Sequence, residues 1–206
     1  MSLSDATPSL VLASASPRRR ELLLQAGFEF EVHPADIDED DFPANILPAD
    51  LATALARRKA EAVAARFPEC VVLGADTVVA FGDTILGKPR DAADAKRMLT
   101  LLAGTTHVVI TGVSVIHRLG GFERTIRVLS AVHMRPLTNS EIAAYVASGA
   151  WEGKAGGYGI QDRDPFVRKV GGDYTNVVGL PMKATIKLLA EAGVTPRRKD
   201  EPSGKL

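Results

Sequence analysis

Short apolar runs alternate along this chain with segments whose apolar residues recur at helical spacing. Leu10-Val11-Leu12-Ala13 is a continuous apolar run that predicts a buried strand. Ser16 and Pro17 follow, a good N-cap and a good first helical residue, and Glu21-Leu22-Leu23-Leu24 carries the helix on until Gly27 stops it. Phe28 to His33 reads as a second strand, and the acidic, Pro-bearing stretch from Asp36 to Pro48 as a loop. Asp50 is placed to cap a long helix through Arg66. Cys70 to Ala75 reads as a buried strand, and Val78 to Phe81 as a second short one that returns through Gly82-Asp83. Asp91 caps a helix from Ala92 to Ala103. Two β segments, Thr106 to His117 and Glu123 to Met134, are joined by Gly120-Gly121. Thr138 and Glu141 form a capping box for a helix from Ser140 to Ala147, and Pro181 begins a last helix ending near Gly193. The alternation predicts an α/β fold in residues 10–195, with 1–9 a flexible N-terminus and the polar tail 196–206 disordered. No linker divides the chain, although the 106–150 hairpin and helix read as the start of a second lobe.

Composition narrows the partners. The chain has 206 residues, 46% hydrophobic and 24% charged, with zero formal net charge. That balance argues against bulk nucleic-acid or membrane-surface binding, both of which need a basic surplus. No apolar stretch is long enough to span a bilayer, and the first nine residues lack a signal-peptide core. The single cysteine, Cys70, excludes an internal disulfide and fits a reducing compartment, so a cytoplasmic setting is expected.

Against this neutral background, Arg18-Arg19-Arg20 stands in the first turns of the first helix, where the dipole disfavours cations. A polyphosphate would compensate them, with the helix start and the Ser14–Ser16 backbone as donors; a solvated basic face is the alternative. Asp76, in Gly74-Ala75-Asp76-Thr77, is placed at the carboxyl end of a buried strand, where α/β folds put their sites. It suits metal binding or proton abstraction, or else a turn aspartate bonding its own backbone. Lys59 shares a helix face with Leu51, Leu55 and Val63, so it either snorkels outward or turns in toward an anion. Lys88 sits in Gly87-Lys88-Pro89-Arg90-Asp91, either as a phosphate contact or as an exposed loop lysine. In Gly156-Gly157-Tyr158-Gly159-Ile160-Gln161 the glycines permit close approach of the backbone to a ligand, and the Gln161 amide offers one donor and one acceptor to a nucleobase edge. A second glycine-framed segment, Gly172 to Pro181, suggests a shared cleft. His33, His107, His117 and His133 show no metal-ligand spacing and read as structural. No zincin, nucleophile-elbow, P-loop or dinucleotide fingerprint is present.

Leu12-Ala13-Ser14-Ala15-Ser16-Pro17-Arg18-Arg19, Gly74-Ala75-Asp76-Thr77-Val78-Val79, Gly87 to Asp91, Gly157 to Gln161 and Asn176 to Pro181, in that order, resemble the Maf family of nucleoside triphosphate pyrophosphatases. The resemblance runs from about Leu10 to Leu189. It implies an elongated mixed sheet with flanking helices, two lobes around a central nucleotide cleft, related to inosine-triphosphate pyrophosphatases. It also implies hydrolysis between the α- and β-phosphates and a divalent cation, Mg²⁺ or Mn²⁺. On the same ground Asp76 is the proton acceptor, Lys59, Lys88 and Glu39 complete the catalytic set, and Asp76 and Glu39 hold the metal. Asp38 stands beside Glu39 as the other candidate for that place. Arg19 is the phosphate arginine, with Ser14 and Ser16 on the substrate.

The branch of the family acting on dTTP and UTP carries arginine, threonine and glutamine where this chain has Arg18, Thr77 and Gln161. The branch acting on 7-methyl-GTP usually has tryptophan, glutamine and glutamate there. The resemblance therefore implies a nucleoside triphosphate substrate with a pyrimidine base, while the oligomeric state, a homodimer included, stays open. Two departures mark the chain: Asp162-Arg163-Asp164-Pro165 where the family has a small residue, and Asp173 in place of serine. Two rival readings are a broader house-cleaning enzyme for modified pyrimidine triphosphates and a non-hydrolysing nucleotide sensor of cell division, or septum formation.

Overall fold

The computed structural model describes residues 8–39, 41–43, 45–161 and 166–197. The expectations for the first residues and the end of the tail, for Asp40 and for Asp162-Arg163-Asp164-Pro165 lie outside the described residues. In chain order the elements are β1 (Leu10–Leu12), α1 (Pro17–Gln25), β2 (Glu31–Val32), α2 (Pro48–Ala64), β3 (Val71–Phe81), β4 (Thr84–Leu86), α3 (Ala92–Leu102), β5 (Thr106–His117), β6 (Phe122–Met134), α4 (Asn139–Ala147), β7 (Val167–Gly171), α5 (Tyr174–Val178) and α6 (Met182–Glu191). The strands form one seven-stranded mixed sheet in the order β2-β1-β3-β5-β6-β7, with β4 also paired to β3. β1 runs parallel to both β2 and β3, and the other pairs are antiparallel.

The long strands β3, β5 and β6 carry the architecture. Along β3 the odd-numbered side chains face one side of the sheet and the even-numbered ones the other. On the odd side Val71, Leu73 and Ala75 join Leu12, Leu23, Val113, Val115 and Leu189 in one apolar cluster under α1 and α6. Val79 joins Leu86, Met98, Leu99, Val109, Val132 and Ile142 in a second cluster under α3 and α4. Thr77 on β3 and Thr111 on β5 pair across the strands between these clusters and form a polar seam. The two lobes thus share their strands, and the 106–150 segment is continuous with the rest of the sheet.

Helix α2 covers the even side at unusually short range. A Cβ on Gly74 would lie 2.4 Å from the Ala56 carbonyl oxygen, and one on Gly112 only 2.2 Å from that of Ala52. Small residues on both surfaces, Ala52, Ala56 and Ala60 against Gly74 and Gly112, let helix and strands approach backbone to backbone.

Four local expectations are corrected. Gly74-Ala75-Asp76-Thr77 is the middle of the continuous strand β3 rather than a turn after a strand, because its glycine marks the approach of α2. Helix α2 begins at Pro48 with Leu47 as N-cap; Asp50 lies in its first turn and pairs with Arg127 at 3.0 Å. Ser16 occupies the N-cap of α1, but its side chain makes no cap bond. Strand β2 contracts to two residues, and β7, a five-residue edge strand, was not anticipated. The hairpin of β5 and β6, the Asp91 cap and the reciprocal Thr138–Glu141 capping box stand as expected.

His107 on β5 is buried, and its Nε2 lies 2.5 Å from the Tyr158 hydroxyl, which ties the glycine-rich segment to the sheet. Burial lowers the His107 pKa to about 4 and pushes the Tyr158 phenol up.

Two stability predictions follow from this packing. Gly112→Ala should lower the unfolding free energy by about 2–3 kcal/mol, since the added methyl meets backbone that cannot yield. Gly87→Ala, where the methyl meets nothing within 4 Å, should change it by less than ~0.5 kcal/mol; equal urea midpoints for the two variants would refute the close-approach account. For His107, a folded pKa near 4 against about 6.5 unfolded means the unfolded chain binds more protons between these values. Its contribution is therefore present above pH 6.5 and lost as pH falls toward 4. Between pH 7 and pH 4.5 wild type should lose about 2–3 kcal/mol more than His107→Gln does, measured by urea unfolding of both at each pH.

Candidate active site

The site opens at a gap in the sheet. β1 pairs with Val71–Leu73 of β3, and β4 pairs with Val79–Phe81 along the same edge. From Gly74 to Val78 that edge has no strand beside it among the described residues. A cleft of about 680 Å³ fills the gap, within the range that holds a nucleotide-sized ligand. Because the edge is open, side chains from both faces of β3 reach it: Asp76 from the α2 side and Thr77 from the other. Ten of the residues singled out in the sequence line it: Ser14, Ser16, Arg18, Arg19, Glu39, Lys59, Asp76, Thr77, Lys88 and Gln161.

Lys59 turns inward. Its ammonium is 2.6 Å from Asp76 Oδ1 and 2.7 Å from Glu39 Oε1, and the residue is 8% exposed. The close seating of α2 sets this lysine over β3, and the ion pairs offset the cost of burying its charge. Glu39 Oε2 in turn lies 3.5 Å from the exposed Lys88 ammonium. Burial pushes the Glu39 carboxyl up, but its bonds to Lys59 and Lys88 outweigh this and hold it below the usual carboxylate range. Asp76 lines the cleft, and while Oδ1 is bonded to Lys59, Oδ2 has no hydrogen-bond partner among the described residues. Glu39, rather than Asp38, is the acid that meets both lysines.

Arg19 stands across the cleft from this cluster. Its Nε donates to the Gly179 carbonyl at 2.8 Å, Nη1 to Ser14 Oγ at 3.0 Å and Nη2 to Thr77 Oγ1 at 3.1 Å. Ser14 Oγ also accepts from the Ser16 amide at 3.3 Å, which shapes the turn leading into α1. No carboxylate pairs with Arg19 among the described residues. Burial lowers its pKa, with the charge of Asp76 acting in the opposite direction. Three neutral acceptors orient a guanidinium that still has N–H groups left for an anion. Arg18 also lines the cleft, while Arg20 is exposed and contributes nothing to it.

The glycine-rich segment forms the opposite wall. Gly156 and Gly157 adopt φ of +70° and +74°, and the Gly156 amide donates to the Gly87 carbonyl at 3.0 Å. The loop bearing Lys88 and the loop bearing Gln161 are thereby joined. Gln161 is exposed at the cleft mouth. Asp173 caps α5, accepting from the Thr175 and Asn176 amides at 2.7 and 3.4 Å. The departure from serine is therefore one good N-cap for another.

Sequence reasoning passed over Glu152 and Lys154, which also line the cleft, and gave no role to Thr111 or Asn176. Thr111 is a threonine in a β-branched strand, and only its cross-strand pairing with Thr77 marks it out. Among the described residues no group of three or more His, Cys, Asp or Glu side chains is gathered.

Comparison with known proteins agrees with this geometry. Residues 9–192 match the family described as Maf-like protein. The dTTP/UTP pyrophosphatase of Moorella thermoacetica is 50% identical over 186 residues, covering 90% of this chain and 95% of the relative. That of Cereibacter sphaeroides is 50% identical over 188 residues, covering 90% and 96%. That of Salinibacter ruber is 48% identical over 186 residues, covering 87% and 89%. With residues 9–192 matched and these relatives about half identical over nearly their whole length, the chain belongs to the Maf family.

Proposed function

We propose that this chain is a nucleoside triphosphate pyrophosphatase acting on dTTP and UTP. The observation that carries the reading is the juxtaposition, in one cleft, of carboxylates paired with lysines and a half-buried arginine that has no carboxylate partner among the described residues. The arginine and lysines suit a polyphosphate, and Asp76 suits a proton acceptor beside it. The names of the relatives and the presence of Arg18, Thr77 and Gln161 support the pyrimidine specificity. A cytoplasmic setting accords with such a substrate and with a single free cysteine.

In the reaction, a water oxygen bonds to the α-phosphorus while Asp76 Oδ2 takes the water proton. The bond from the α-phosphorus to the bridging oxygen breaks, and pyrophosphate leaves with its electron pair. Lys59 holds Asp76 by its other oxygen, which keeps the accepting oxygen aimed at the cleft. Arg19 and Lys88 neutralise the charge that develops on the phosphates. The donor set also fits a divalent cation, since Mg²⁺ is held by one or two carboxylates together with substrate phosphates. Asp76 and Glu39 would hold it, and bound there it supplies further neutralisation of phosphate charge.

Two measurements test this. Asp76→Asn should keep the wild-type circular dichroism and lose at least about 100-fold in kcat for pyrophosphate release from UTP; unchanged release would overturn the role of Asp76. Gln161→Glu removes the amide donor and sets a carboxylate against the carbonyls of uracil. It should lower kcat/KM for UTP and dTTP by at least about tenfold. The readout is monophosphate and pyrophosphate, both quantified over a panel of dTTP, UTP, CTP, ITP and 7-methyl-GTP; no release from any of them would refute the enzymatic reading.

A further inference from the structure

Thr77 faces the cleft, and its hydroxyl belongs to a chain of hydrogen bonds running back into the sheet. Arg19 Nη2 donates to Thr77 Oγ1 at 3.1 Å. Thr77 Oγ1 is 2.9 Å from Thr111 Oγ1. Thr111 is fully buried, with the main-chain carbonyl of Asn176 3.1 Å from its hydroxyl. Asn176 is itself held, donating through Nδ2 to the Val109 carbonyl and to Ser130 Oγ, both at 3.0 Å.

The polarity of the chain follows from what each group can do. A guanidinium only donates, so Thr77 gives Arg19 a lone pair. A carbonyl only accepts, so the Thr111 hydrogen goes to Asn176, and the Thr77 hydrogen goes to Thr111. Thr77 then has one lone pair left and no hydrogen. The other arrangement has Thr111 donating to Thr77, and Thr77 donating to the Gly179 carbonyl at 3.4 Å. There the Thr77 hydrogen is again committed to the protein. Gly179 O already accepts from Arg19 at 2.8 Å, and the 3.1 Å contact to Asn176 is the shorter, so the first arrangement is favoured. In neither does Thr77 have a hydrogen for a ligand.

We propose that Thr111 is a specificity-determining residue that acts through Thr77: by taking the Thr77 hydrogen it makes that hydroxyl an obligatory acceptor, which selects a base bearing N3–H. A phosphate oxygen or a ring nitrogen with a lone pair finds nothing to accept there. Uracil and thymine carry N3–H, whereas cytosine carries a bare N3 that needs a donor. The inference rests on the pyrimidine triphosphate reading above and supplies a physical basis for preferring UTP and dTTP to CTP.

The test is a steady-state comparison of UTP and CTP on wild type, Thr111→Val and Thr111→Ser. Valine keeps the volume and removes the acceptor, which leaves the Thr77 hydrogen only the long 3.4 Å contact to a Gly179 carbonyl already bonded to Arg19; a bare N3 can compete for it, so the ratio of kcat/KM for UTP over CTP should fall about tenfold. Serine keeps the hydroxyl and should restore the wild-type ratio. Circular dichroism and urea unfolding establish that each variant is folded, and Thr111→Ala, which removes the same hydroxyl without adding a methyl, gives the same readout should valine not fold. A fall in activity that leaves the ratio unchanged would overturn the proposal and leave Thr111 a merely structural group. Failure of the wild-type protein to release pyrophosphate from UTP would instead overturn the enzymatic reading, so the two failures are distinguishable.

Discussion

Everything at this site depends on how closely helix α2 lies against the sheet. Ala52 and Ala56 meet Gly112 and Gly74 at distances that no side chain on the strands could occupy. One turn further along the same helix, Lys59 is brought down onto Asp76. A buried ion pair of this kind adds little net stability, because desolvation of both charges offsets their attraction. Its value here is positional. Helix packing, a property of small residues, is converted into the orientation of one carboxylate oxygen. Removing Lys59 strands the Asp76 carboxylate in a low-dielectric setting, whereas neutralising Asp76 leaves Lys59 its bond to Glu39.

The second constraint is the gap on the β3 edge. An α/β sheet usually offers its ligands the loops beyond the ends of strands. Here β1 stops after Leu12 while β3 continues to Phe81, so the loop after β1 lies beside the middle of β3. The loop brings Ser14, the first turn of α1 brings Arg19, and the exposed edge brings Asp76 from one face and Thr77 from the other. Acid and specificity groups thus occupy adjacent positions of one strand and point to opposite sides. The Thr77–Thr111 pair lies between the two apolar clusters on the odd face, so the polar chain to Asn176 runs where the core is already interrupted.

How much of this the sequence discloses depends on the range of each interaction. Caps are local, and Asp91, Thr138 and Glu141 could be read directly. The long hairpin of β5 and β6 was equally plain from its β-branched content. The direction of Lys59 was undecidable from periodicity, because the partner that draws it inward lies on another element. Gly74 misled for a related reason: a glycine after an apolar run signals a turn unless a helix is known to lie against it. Asp50 has the chemistry of a cap, but Pro48 is the better first helical residue and sets the start of α2 two residues earlier. Strand β7 was hidden by Arg168 and Lys169, which suit an exposed edge and weaken any alternation. The bond between Thr111 and Asn176 is invisible in sequence because β5 and α5 bring the two together across 65 residues.

Charge closes the argument. The chain as a whole is neutral, yet among the described residues the cleft sets five cations, Arg18, Arg19, Lys59, Lys88 and Lys154, against three carboxylates, Glu39, Asp76 and Glu152. The surplus of two is local, and it attracts a polyanion without making the protein a general binder of nucleic acid. A nucleoside triphosphate brings about four negative charges. Two are met by the surplus, and a divalent cation on Asp76 and Glu39 would meet the other two. Glu39 spans Lys59 and Lys88 much as a phosphate oxygen pair would. An arriving triphosphate therefore does not enter an unbalanced field of positive charge. It competes with a carboxylate for lysines already held in place, which keeps the cleft ordered before the substrate arrives and lowers the cost of closing around it.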